Sequence, residues 1–156
     1  MNDGQDSHGV PIGKPTSFFI GTRVNPTGTV DDSEYDFARR KVGAGVHFLV
    51  TPPVFDVQAL EERLVTLGAS NVPMLMGVLP LRDFEHAEYL KYEVPEISLP
   101  GSVLQRMRAA GPHGQEVGRE IARELILAAQ PEMAGILLTA DAGVEEMLPL
   151  LRTLPA

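Results

Sequence analysis

At 156 residues the chain is long enough for one domain with a real core and too short for two comfortable ones. Its 44% hydrophobic and 22% charged residues are those of an ordinary folded protein, and a net charge of −8 argues against a nucleic-acid or anionic-membrane surface as main partner, because phosphate recognition needs a basic face. With no cysteine, disulfides, thiolate metal sites and a cysteine nucleophile are all excluded.

Residues 1–16 (MNDGQDSHGVPIGKPT) are rich in glycine, proline and polar side chains, so no regular structure is expected there. The segment has neither a basic n-region nor an apolar h-region, and no run in the chain approaches the length of a membrane span. The expectation is a cytoplasmic protein, with an irregular N-terminal segment followed by one domain over residues 17–156.

The first strand is expected at Phe18–Val24, ended by the turn residues Asn25-Pro26-Thr27-Gly28. Asp31, Asp32 or Ser33 can cap a helix that runs to about Lys41 or Ala44 and stops at Gly45, which suits a left-handed residue. Val46–Thr51 is apolar and β-branched enough to predict a central strand covered on both faces. After Pro52 and Pro53, Asp56 starts a helix whose apolar residues fall at Val57, Leu60, Leu64, Val65 and Leu67, and Gly68 ends it.

A buried strand follows at Met74–Leu79, with Met74 and Met76 on one face, and then a helix from an acidic cap at Asp83 to about Tyr92. Prolines 95 and 100 bracket an extended segment, since they forbid a long helix. Helices at Ser102–Arg108 and Gln115–Ala129, a strand at Gly135–Thr139 and a helix at Val144–Leu151 complete the series.

Strand and helix thus alternate four times, with an extra helix before the last strand. The fold class is α/β, with four parallel strands and helical crossovers. Such a sheet can be small and open, or half of an eight-stranded (β/α)8 TIM barrel, and periodicity does not separate the two. In either form the chemistry sits beyond the carboxyl ends of the strands, which makes Thr51-Pro52-Pro53-Val54-Phe55-Asp56 a ligand-facing segment.

Three stretches, FFIGTRVNPTG, RRKVGAGVHFLVTPPVFD and PMLMGVLPLRDFEHAEYLKYEVPEISLP, together resemble methylenetetrahydrofolate reductase, in particular the reductase part of bifunctional homocysteine S-methyltransferase/methylenetetrahydrofolate reductase proteins. The resemblance runs in order over about residues 10 to 130. It implies the C-terminal half of a (β/α)8 barrel, strands five to eight. It also implies FAD, which NAD(P)H reduces and which passes a hydride to 5,10-methylenetetrahydrofolate. The family's catalytic glutamate and flavin-adjacent aspartate belong to the half without a counterpart here.

By the same resemblance, Asn25, Glu34, Arg40 and Lys41 would contact the outer parts of FAD, and Thr51 and His86 would face the folate. Glu34 and Lys41 are two helical turns apart, roughly 10 Å along one face, and an acid beside two cations suits ribose hydroxyls and a pyrophosphate. Read without the family, the same residues form a solvated face with Asp36 and Arg40 as an i,i+4 pair. Pro52 stands where the family has a pterin-contacting glutamine, and proline has no side-chain donor or acceptor.

His86, between Glu85 and Glu88, is expected to be solvated, and His47 to be a buried, hydrogen-bonded core residue. The four histidines have no metal-ligand spacing, so no metal is expected. Gly111-Pro112-His113-Gly114 is expected to be a loop. Two functions remain open: a flavin-dependent reductase half, or a non-catalytic half-barrel that dimerises or docks on a missing N-terminal half, since unpaired strand edges and an apolar inner face favour association.

Overall fold

The computed structural model describes residues 3–25, 32–69, 71–129, 133–140 and 144–152. Four strands, β1 (Gly21–Arg23), β2 (Phe48–Pro53), β3 (Met74–Val78) and β4 (Gly135–Leu138), form one sheet in the order β1-β2-β3-β4, every pair parallel. The helices between them are α1 (Asp32–Gly43), α2 (Val57–Leu67), α3 (Phe84–Glu93), α4 (Gly101–Ala110) and α5 (Gly114–Ala129), with a short α6 (Leu148–Leu151) after β4. The architecture is α/β, a four-stranded all-parallel sheet flanked by helices, as in half of a TIM barrel.

Local chemistry explains the punctuation. Asp56 caps α2 by accepting the Ala59 amide at 3.0 Å, and Gly68 ends the helix at φ +67°. Gly45 ends α1 at φ +81°. Both glycines adopt a left-handed conformation that a side chain would oppose. Residues 3–16 hold neither helix nor strand, yet they are folded back into a small hairpin. Gln5 and Pro11 form an isolated antiparallel bridge, and the Asp6 carboxylate accepts the amides of His8 and Val10.

One face of the sheet is packed. Leu49, Met74, Met76 and Val78 pack with Leu60 and Leu64 of α2, Ala122 and Ile126 of α5, and Ala38 and Val42 of α1. Leu49 and Met76 are fully buried, a burial that contributes about 1.5–3 kcal/mol for each such side chain. A second core lies beyond the carboxyl end of β3, where Phe55, Leu79 and Leu81 meet α3, the 94–100 segment, α4 and Ile121. It is why the helix before the last strand is there: with α3 it covers the apolar segment that follows β3.

The second core needs two glycines. A Cβ at Gly118 would lie 1.8 Å from the Leu81 carbonyl oxygen, and one at Gly114 would lie 2.9 Å from the Arg82 carbonyl oxygen. The first two turns of α5 therefore press directly on the 81–83 backbone. Gly111–His113 forms a 3-10 turn that joins α4 to α5, in place of the expected loop.

The opposite face of the sheet is open. By register it presents Gly21, Arg23, Phe48, Val50, Leu75, Gly77, Gly135 and Leu137. The expected cover on both sides of the central strand is not found among the described residues: Phe48 and Val50 are half-buried. Two large side chains of this face lie sideways over glycines of the neighbouring strands. The Phe48 ring lies across Gly21, and Leu75 lies against Gly135, where a Cβ would meet either neighbour.

Two strands differ from expectation. β1 has three residues, because Phe18, Phe19 and Ile20 stay exposed outside the ladder. β2 starts two residues late and runs through both prolines, a placement that a central strand tolerates only at a bulge. The register does slip there, between Val50 and Pro53. No described helix is long and apolar enough to cross a membrane.

Candidate functional site

The carboxyl ends of the four strands carry the candidate site, and its centre is the bulge at Thr51-Pro52. Thr51 is buried, and its Oγ1 accepts the Gly77 amide at 2.9 Å while donating to the Pro52 carbonyl at 2.8 Å. The Thr51 and Pro52 carbonyls lie over Gly77 on the open face: a Cβ on Gly77 would stand 2.5 Å from the Pro52 carbonyl oxygen and 2.6 Å from that of Thr51. The ligand-facing segment is thus folded against β3. The Thr51 hydroxyl holds this fold in place with both its donor and an acceptor position.

At the end of β1, three expected cofactor residues were Asn25, Arg40 and Lys41. Two of them meet there through partners that were not foreseen. Lys41 Nζ donates to the Arg23 carbonyl at 3.0 Å, and Asn25 Nδ2 donates to the Glu96 carbonyl at 3.0 Å. Arg23 and Glu96 in turn form an ion pair at 2.5 Å. The segment after α3 is thereby fastened over the end of β1. Sequence reading had no local signal for this, since Arg23 and Glu96 are 73 positions apart.

Arg40 is exposed and donates from Nε to the Asp36 carbonyl at 3.3 Å, a backbone contact rather than the i,i+4 carboxylate pair of the solvated-face reading. The Lys41 ammonium and the Arg40 guanidinium lie 4.4 and 5.8 Å from the centroid of the Phe37 ring. Two cations on one exposed aromatic form a compact positive edge. Glu34 lies in α1, and its side chain is outside the described residues.

The two histidines reverse their expected environments. His86 is buried, not solvated, being 6% exposed. It is the third residue of α3: its amide donates to the Asp83 cap at 2.7 Å, and its Nδ1 accepts the Arg82 amide at 3.3 Å. The arrangement resembles a capping box with imidazole in the glutamate role, except that the ring reaches the amide of the residue before the Asp83 cap. Its burial follows from folding back over the helix start.

His47 is exposed, not a core residue. It precedes β2 at the amino end of the sheet, where its Nδ1 accepts the Ile20 amide at 2.9 Å and its own amide donates to the Ile20 carbonyl at 2.8 Å. The side chain extends the ladder back past the start of β1. Its ring centroid is 4.8 Å from that of Phe19, which also stacks on Phe48 at 5.3 Å.

Among the described residues no group of three His, Asp or Glu could hold a metal ion. A groove of about 240 Å³ between α5 and α6 is lined by Glu116, Arg119, Glu120, Arg123, Pro149 and Leu150. None of these belongs to a strand end, and the groove carries acids and bases alike. The strand ends, with their fixed peptide, ion pair and exposed cations, remain the better site.

No protein-family model and no curated protein sequence matches the chain. Among solved structures it is similar to an uncharacterized protein from Clostridium thermocellum that binds two copies of 5-methyl-5,6,7,8-tetrahydrofolic acid. The TM-score is 0.50 at 15% identity, over 78% of this chain and 46% of that one. The likeness is one of fold, and the chain spans less than half the length of that protein.

Proposed function

We propose that this chain binds a reduced folate at the carboxyl ends of its strands, as part of an FAD-dependent unit of the methylenetetrahydrofolate reductase type. The observation that carries the reading is the gathering of Asn25, Lys41, Arg23 and Glu96 at the end of β1, beside the fixed Thr51-Pro52 peptide, on a half-barrel sheet. The ordered motifs of the sequence point the same way. So does the folate bound by the Clostridium thermocellum protein of similar fold.

The residues fit the anionic part of FAD. Lys41 and Arg40 offer two cations beside the Phe37 ring, and a pyrophosphate is recognised by such charges. Bound there, FAD would take a hydride from NAD(P)H and give it to the methylene carbon of the folate. The chain's own residues would position: Lys41 and Arg40 neutralise phosphate charge, Asn25 holds the 94–100 segment, and Thr51 keeps the ligand-facing peptide from moving. The proton-transfer acid would come from a further four β/α units.

Titration of the purified chain with 5-methyltetrahydrofolate by calorimetry, and with FAD by flavin fluorescence, tests the reading. Saturable binding of the folate is expected, with FAD binding weakened in Lys41→Gln. Failure of both ligands to bind would remove it.

The exposed apolar face favours a second reading. Phe18, Phe19, Ile20 and Leu137 are all exposed around an open sheet whose edge strands β1 and β4 have no further strand beside them among the described residues. A non-catalytic half-barrel that pairs with a second copy, or with a complementary half, would cover them.

A further inference from the structure

Arg23 is the only charged residue among the eight strand positions of the open face, and it stands at the carboxyl end of β1. Glu96 reaches it from the segment after α3, and each side chain is a little over half exposed, at 55% and 56%. We propose that Arg23 is a binding site for an anionic group, a carboxylate or a phosphate, and that Glu96 is its built-in competitor, holding the place that the ligand's oxygens take.

Three observations carry this. The pair uses one guanidinium nitrogen and one carboxylate oxygen, whereas a guanidinium has five N–H donors in a planar fork suited to two-point recognition. An arriving carboxylate or phosphate can therefore make more bonds to Arg23 than Glu96 does. An ion pair this exposed is also weak, because water screens it and two long side chains must be held in one geometry. Displacing it needs only a modestly better partner.

The third observation is that the backbone on both sides is fixed without the ion pair. Asn25 Nδ2 holds the Glu96 carbonyl, Lys41 Nζ holds the Arg23 carbonyl, and the Ile97 amide bonds the Val94 carbonyl at 3.0 Å. The Glu96 carboxylate can turn away while its main chain stays in place. Exchange is thus a side-chain rotation rather than the opening of a loop.

The inference stands on this geometry and does not require the folate reading. Calorimetric titration at low ionic strength with sodium phosphate and, separately, with glutarate distinguishes the two anion classes, and neutral glutaramide is the control. At least one anion should bind saturably and glutaramide should not. Glu96→Gln removes the competitor and should tighten binding by up to about fivefold. Arg23→Gln should weaken it by about tenfold or more, with Arg23→Lys between. Circular dichroism verifies that the variants stay folded, and amide NMR shifts at Arg23 and Ile97 on adding the anion give a second readout. No saturable binding of either anion, equal affinity in Arg23→Gln, or no gain in Glu96→Gln would each overturn the proposal.

Discussion

Thr51 Oγ1 stands 2.9 Å from the amide nitrogen of Gly77 and accepts its hydrogen bond at the point where the β2–β3 register slips. A side chain thus completes a backbone ladder that two successive prolines interrupt. Prolines supply no N–H, and the displaced main chain would otherwise leave a buried donor unpaired.

Thr51→Val keeps the shape and removes the acceptor. The stranded Gly77 amide should cost about 1–3 kcal/mol, read as a lower urea midpoint with an unchanged slope. Thr51→Ser, which keeps the hydroxyl, should lose clearly less. Equal midpoints for the valine and threonine proteins would show that the bond does not stabilise the fold.

Gly118 and Gly43 make a matched pair. Alanine at Gly118 would drive a Cβ into the Leu81 carbonyl, so the helix must shift off the second core, at a cost of about 1–3 kcal/mol or more. Gly43, in α1, has open space around it and a φ outside the left-handed region. Gly43→Ala should raise stability by about 0.5–1 kcal/mol. Thermal unfolding of the two variants should move in opposite directions.

The Glu124 carboxylate takes two hydrogen bonds from Arg106, at 2.5 and 2.8 Å, and the guanidinium holds its pKa below the ordinary carboxylate value. A depressed carboxylate adds stability above its unfolded-state pKa and loses it as pH falls through the folded value. Because both side chains are largely exposed, the gain is about 0.5 kcal/mol at neutral pH. The stability difference between the protein and Glu124→Gln should therefore be constant near neutrality and vanish in acid. A difference that grows in acid would reverse the assignment.

The open face predicts association. Phe19 is 73% exposed and stacks on Phe48, and Leu137 is exposed on the other edge strand. Phe19→Asp with Leu137→Asp should lower the concentration-dependent mass seen by light scattering after size-exclusion chromatography. A protein that is monomeric at every concentration would leave the exposed face without a partner of its own kind.

Much of this fold is written locally. Gly45 and Gly68 end helices because their φ is positive, and Asp56 and Asp83 begin them because a short carboxylate reaches an orphan amide. Such signals involve residues within a turn of one another. What escaped is what depends on distant partners. Phe18–Ile20 reads as strand, but the described ladder stops at Gly21, and Ile20 is held by the amide and ring of His47 instead. His86 is a local exception: it looks solvated between two glutamates, yet it is buried, with its ring folded back onto the Arg82 amide four positions earlier. At the strand ends, the family resemblance singled out Asn25 and Lys41 as cofactor contacts and said nothing of the Glu96 and Arg23 carbonyls they donate to, whereas Arg23 and Glu96 carry no periodicity or spacing that would join them.

The peptide that roofs Gly77 has a further consequence for affinity. Pro52 and Pro53 have restricted backbones, Gly77 leaves no gap beneath them, and Thr51 bolts the segment to β3. A partner arriving at the strand ends meets a surface whose ordering entropy was already lost when the chain folded. Binding there should proceed as contact with a rigid wall, fast and with little change in backbone dynamics. Any adjustment to the shape of the ligand falls to side-chain rotation on the β1 side.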